Sequence, residues 1–194
     1  NTNDDPLLLF IGRIQPLKGV DLAVEALARM ERTDARLWIV GGASGQRGGR
    51  EVDRIRGLIA QLDLTERVHF VPPQPHHLLS TYYRAADICL VPSRSESFGL
   101  VALEAAACGV PTVASAVGGL LTLVDHGHSG YLVESRDPDE YATWVDTIPA
   151  DPVLARRLSV SAAARARTYT WTTSASRLRR LYQDLASRTL APCP

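Results

Sequence analysis

The sequence predicts an α/β fold: a Rossmann-like, doubly wound parallel sheet of about six strands, with helices added at the C-terminal end. Two observations carry this reading. Short, near-continuous apolar runs recur between longer amphipathic segments, the pattern of strands covered on both faces and joined by crossover helices. After the last of these runs, three helical segments follow with no strand between them.

The strands are Leu7–Ile11, residues 37–40, Val68–Val71, Ile88–Val91, Thr112–Ser115 and Gly130–Val133. Helices are expected over residues 20–30, 50–62, 76–85, 99–108 and 120–125. In the first of them Val20, Val24, Leu27 and Ala28 fall on one face at helical spacing. Regular alternation of this kind implies parallel strands with right-handed crossovers. The three later helices are expected over residues 138–148, 153–169 and 172–187. Asp137-Pro138 and Asp151-Pro152 open the first two, since an acidic cap followed by proline suits a helix N-terminus. Residues 1–5 and 191–194 read as frayed ends, or as scars of where the chain was cut.

The chain has 194 residues, enough for one domain or half of a larger enzyme. Its 21 basic and 21 acidic residues leave a formal net charge of zero, which argues against nucleic-acid binding. No apolar run approaches the ~20 residues of a membrane span. Three cysteines (Cys89, Cys108 and Cys193) at unrelated spacings suggest neither a disulfide framework nor a zinc ribbon. A cytoplasmic setting without metal or cofactor is the expectation. Lys18 is the sole lysine in a chain whose other basic residues are all arginine, which makes it conspicuous.

Ligands on an open parallel sheet bind beyond the carboxyl ends of its strands, so chemistry is sought in the loops there. The first loop, Gly12-Arg13-Ile14-Gln15-Pro16-Leu17-Lys18-Gly19, sets a fork-shaped cation and a mobile ammonium ahead of a helix. Such a set suits an anion with several oxygens, and reads equally as a polar loop with two surface cations. The second, Gly41-Gly42-Ala43-Ser44-Gly45, lacks the dinucleotide fingerprint; its paired glycines either line a site or form an exposed loop. The fourth runs Pro92-Ser93-Arg94-Ser95-Glu96-Ser97-Phe98-Gly99-Leu100 into a helix expected to start near Phe98-Gly99, with Glu104 about one and a half turns in. Backbone N–H groups at Phe98, Gly99 and Leu100 would face the crevice with the positive end of the helix dipole behind them. Two carboxylates flanking donors suit a ligand carrying both hydroxyls and phosphate, such as a sugar nucleotide. Singly, Glu96 reads as a cap and Glu104 as a solvated helix face.

With these loops and Gly118-Gly119 in order, the chain resembles the retaining family 4 glycosyltransferases of GT-B fold, over residues 7–185. Arg13–Lys18, Pro72-Pro73-Gln74-Pro75, Tyr83-Arg84-Ala85-Ala86-Asp87 and the Ser95–Glu104 stretch are most similar to the mycothiol-pathway branch, which moves N-acetylglucosamine from UDP to an inositol phosphate. The resemblance implies that Arg13 and Lys18, beside Gly12, bind the donor diphosphate and neutralise charge on the leaving group. It implies that Glu96 holds sugar hydroxyls, that Ser97, Phe98, Gly99 and Leu100 grip sugar and phosphate, and that Glu104 accepts from the ribose. Arg13, Lys18 and Glu96 would be the catalytic set. Gln74 is the candidate for reading the base edge. Tyr83, Arg84 and Ala86 lie near a backbone-held cation in such relatives, which is incidental here without a carboxylate cluster.

By the same resemblance residues 1–170 form the nucleotide-sugar-binding domain, and 171–194 a helix that crosses back to an absent N-terminal acceptor domain. Leu178 and Leu181 are then expected on its exposed face, and the isolated half is expected to be inactive. A sugar-nucleotide epimerase half and a non-catalytic binding module are the competing readings. Trp38 and Trp144 are expected in the core, and His76, His77, His126 and His128 in solvent.

Overall fold

The computed structural model describes residues 5–44 and 48–187; Cys193, the extreme ends and residues 45–47 of the second glycine loop lie outside them. Its strands are β1 (Leu7–Ile11), β2 (Arg36–Val40), β3 (Val68–Val71), β4 (Ile88–Val91), β5 (Thr112–Ser115) and β6 (Gly130–Val133). All are parallel, in the order β3-β2-β1-β4-β5-β6. This is the doubly wound order, with its reversal between β1 and β4. The crevice at that switch point receives the first and fourth loops, 78 positions apart at Lys18 and Glu96.

Alternation along β1 shows why both faces are apolar. Leu8 and Phe10 enter a core shared with α1 (Val20–Arg29), α2 (Gly48–Gln61) and α6 (Pro138–Ala150). Leu9 points the other way, toward α3 (Leu79–Ala85), α4 (Leu100–Ala107) and α5 (Leu120–Leu123). Every one of Leu8, Leu9 and Phe10 is at most 2% exposed. Each Leu or Phe so buried contributes roughly 1.5–3 kcal/mol over an exposed one. The remaining helices are α7 (Pro152–Ala166) and α8 (Trp171–Ser187). The side chains of Asp137 and Asp151 cap α6 and α7 as expected, accepting from backbone N–H groups two and three residues on.

Several boundaries differ from the sequence expectation. The segment from residue 76 opens with a 3-10 turn, His76–Leu78, before α3. The helix expected over 120–125 is a single turn. Helix α8 contains no buried residue; Leu178, Leu181, Tyr182 and Leu185, spaced along one face, are each about half exposed. No helix among the described residues is long and apolar enough to cross a membrane.

Candidate functional site

The first loop leaves β1 at Gly12, whose N–H donates to the Val40 carbonyl, and closes in a 3-10 turn at Pro16–Lys18. Gly19 ends that turn in the left-handed region with φ 70°, and a Cβ there would sit 2.0 Å from the Pro92 carbonyl oxygen. Only glycine lets the first loop lie this close to the start of the fourth. The contact is extended by the Arg94 N–H, which donates to the Leu17 carbonyl at 2.8 Å.

The next residue along the first loop, Lys18, brings its ammonium to Glu96 Oε2 at 2.7 Å, with the two side chains only 25% and 16% exposed. Two of the three residues expected to carry catalysis are thus brought together as an ion pair. The third, Arg13, is exposed and makes no hydrogen bond or ion pair among the described residues, so its guanidinium is available to a ligand. The Glu96 backbone is fixed separately: its carbonyl accepts from the Gly119 N–H at 3.0 Å. Gly118 lies so near that a Cβ would fall 1.9 Å from the same oxygen, at a φ of 50°.

Helix α4 begins at Leu100, not at Phe98-Gly99, because Gly99 takes a left-handed φ of 99° and becomes the cap. No side chain caps this end, so the dipole and the first-turn N–H groups remain open to an anion. Ser97 is exposed, and Phe98 and Leu100 are 46% and 61% exposed around that opening. The Phe98 ring stands edge-on to Tyr169, with centroids 6.4 Å apart.

Glu104 is not a solvated helix face. Its Oε2 accepts from the Tyr83 hydroxyl at 2.8 Å, and its Oε1 is 3.1 Å from His76 Nε2. Burial, then the nearby Cys89 and Glu104, push the Tyr83 hydroxyl far above its ordinary range, so it stays a donor. His76 is exposed, as expected, yet its nitrogen also ties the loop after β3 to Glu104. Within that loop Gln74 is half-buried and its Nε2 donates to the Pro72 carbonyl at 2.9 Å. Gly42 joins the two halves, accepting from the Ile14 N–H and lying against Pro73.

Two residues outside the expected set hold the loops. The Arg94 guanidinium donates to the Pro16 carbonyl and to both Asp21 oxygens, at 3.3 and 2.8 Å. Asp21 also pairs with Arg54 at 3.3 Å. Burial alone would raise the Asp21 carboxyl, but the Arg94 hydrogen bond and charge, the Leu22 N–H and Arg54 outweigh it and hold it below its usual range. Arg94 sits inside the quoted fourth loop, yet its partner, 73 positions away, has no local signal.

Three other expectations hold with added detail: the two tryptophans pack against the core, and His126 is exposed. Trp38 and Trp144 are half-buried; Trp38 packs edge-on to Tyr82 and Trp144 stacks on Tyr131 at 3.8 Å. His126 is not simply solvated: its ring lies edge-on to Tyr131 and Trp144, and its Nδ1 accepts from the Leu132 N–H.

The chain matches the profile of the glycosyl transferases group 1 family over residues 1–167. It is 47% identical over 190 residues to a D-inositol 3-phosphate glycosyltransferase of Frankia alni, covering 95% of this chain and 46% of that protein. A second, from Acidothermus cellulolyticus, is 46% identical over 195 residues, covering 97% and 43%. The chain therefore spans about half the length of the curated relatives it matches. Among solved structures, sucrose-phosphate synthase from Thermosynechococcus elongatus superposes with a TM-score of 0.86 at 39% identity, covering 96% of this chain and 47% of the other. Anabaena HepE, solved in complex with UDP and glucose, gives 0.84 at 26% identity, covering 95% and 49%.

Proposed function

The chain belongs to the glycosyl transferases group 1 family, and from that membership we propose that it is the donor-binding half of a retaining glycosyltransferase using a UDP-sugar. The observation that carries the reading is the Lys18–Glu96 pair beside the uncapped start of α4. A cation, a set of backbone donors and a carboxylate within one crevice match, in order, a diphosphate and the hydroxyls of its sugar.

Breaking the bond between sugar and diphosphate builds negative charge on the departing phosphate. Lys18, the exposed Arg13 and the α4 dipole neutralise that charge where it develops, which lowers the barrier more than the ground state. Glu96 accepts from sugar hydroxyls and orients the ring against the acceptor. Glu104, oriented by Tyr83 and His76, keeps lone pairs for the ribose hydroxyls. The acceptor is proposed to be an inositol phosphate, by likeness to the D-inositol 3-phosphate glycosyltransferases. It would be held by an upstream half that accounts for the remaining length of the relatives, with α8 reaching back to it.

The test joins this chain to an upstream acceptor half and supplies UDP-N-acetylglucosamine with D-inositol 3-phosphate. Release of UDP with retained anomeric configuration, read by proton NMR of the product, is expected. An inverted product, or a donor bound no better than free uridine, overturns the proposal.

A further inference from the structure

We propose that Arg94 is a positioning residue: gripping Asp21 and the Pro16 carbonyl, it holds the Lys18 turn against the fourth loop and so fixes the ammonium on Glu96. The functional half of this inference rests on the reading of Lys18 as a diphosphate ligand; the geometric half does not.

The two loops touch through a short ladder. Arg94 binds Pro16 and Leu17 from one side, its side chain taking the first carbonyl and its N–H the second. Gly19 packs under Pro92, and Lys18 reaches Glu96. The far end is anchored on helices. Asp21 lies in the first turn of α1, and Arg54, which also binds Asp21, is held by Glu51 in α2 at 2.7 Å. An ammonium on a four-carbon stem has many rotamers, and ordering it costs conformational entropy. A turn clamped at both neighbouring residues meets that cost before a ligand arrives, which is preorganisation. The grip needs a fork: one guanidinium serves a carbonyl and both oxygens of a carboxylate at once. Both terminal nitrogens of Arg94 bond protein partners, so its effect reaches a ligand through Lys18.

Because Lys18 is the only lysine, selective isotope labelling gives one side-chain lysine resonance, a direct report on this ammonium. The experiment records that signal, and titrates UDP and uridine calorimetrically, on the 194-residue chain and on Arg94→Ala, Asp21→Asn and Asp21→Glu. Glu96→Gln supplies the unpaired reference for the resonance. In Arg94→Ala and Asp21→Asn the Lys18 signal is expected to move toward that reference, and UDP to bind about five- to tenfold more weakly, a fraction of a charge-assisted bond. Uridine should stay within about twofold of the parent, since it offers no phosphate to Lys18, and Asp21→Glu should stay near the parent. A Lys18 signal unmoved in the folded Asp21→Asn variant overturns the inference, whatever happens to Arg94→Ala. So does equal loss of UDP and uridine, the mark of a brace for the fold alone. If the signal moves while even the parent fails to bind UDP, the positioning role stands and the donor reading falls.

Discussion

Replacing Glu96 by glutamine should move UDP and a UDP-sugar in opposite directions. Within the crevice the Lys18 ammonium is bonded to Glu96 at 2.7 Å, and both side chains are mostly buried. A diphosphate reaching Lys18 therefore also meets the Glu96 charge. At a separation of about 6 Å and an effective dielectric of ~20, that repulsion is about 3 kcal/mol. Counterions and partial exposure reduce it to about 1 kcal/mol. Glu96→Gln removes it, so UDP should bind about fivefold more tightly. UDP-N-acetylglucosamine instead loses hydroxyl-to-carboxylate hydrogen bonds worth about 1.5–3 kcal/mol. The net result is a donor bound about twofold to thirtyfold more weakly. Lys18→Ala should weaken both ligands, by about a hundredfold or more, since the charge-assisted bond goes and Glu96 is left unopposed. Isothermal titration at low and moderate salt measures all three, with the UDP gain shrinking as salt rises. If Glu96→Gln weakens UDP as much as the UDP-sugar, Glu96 does not face the sugar and the charge argument is wrong.

UDP should raise the melting temperature more than GDP or ADP at equal concentration, through preferential binding to the native state; a larger shift with GDP reassigns the donor. Serine at Leu178, Leu181 and Leu185 should shift the melting temperature of this chain by less than about 2 °C, because α8 contains no fully buried residue, while weakening its association with a separately produced upstream half in a pull-down. For Asp21 the folded carboxyl lies below its unfolded value, so its stabilising contribution is present above about pH 4 and is lost as the pH falls through the folded value. The gap in melting temperature between the parent and Asp21→Asn should be constant from about pH 8 to 5 and close below pH 4, as followed by circular dichroism. A gap that instead widens in acid would mean that the carboxylate destabilises the loop pair.

The elements were legible because their signals are local. Leu7–Ile11 and Ile88–Val91 are apolar throughout, and a strand covered on both faces asks for nothing else. Asp137-Pro138 and Asp151-Pro152 announce helices through groups within three residues of the cap. At α4 a single backbone conformation moved the boundary: the left-handed Gly99 delays the helix to Leu100. The residues of the candidate site were equally visible as types in loops: Lys18 as the lone lysine, Glu96 and Glu104 as carboxylates framing a helix start.

What those residues do to one another was not visible, and only the tertiary structure decided it. Lys18 against Glu96, Asp21 against Arg94, and Tyr83 with His76 on Glu104 join positions 21 to 78 apart. Which of them meet depends on the strand order that brings β1 beside β4, and on glycines at 19 and 118 that let two backbones pass without a Cβ between them. The amino-acid sequence alone determines that strands, helices and polar loops exist, because each is encoded within a few residues. The pairing of charges across the crevice comes from packing the whole sheet, and no short stretch of chain contains it.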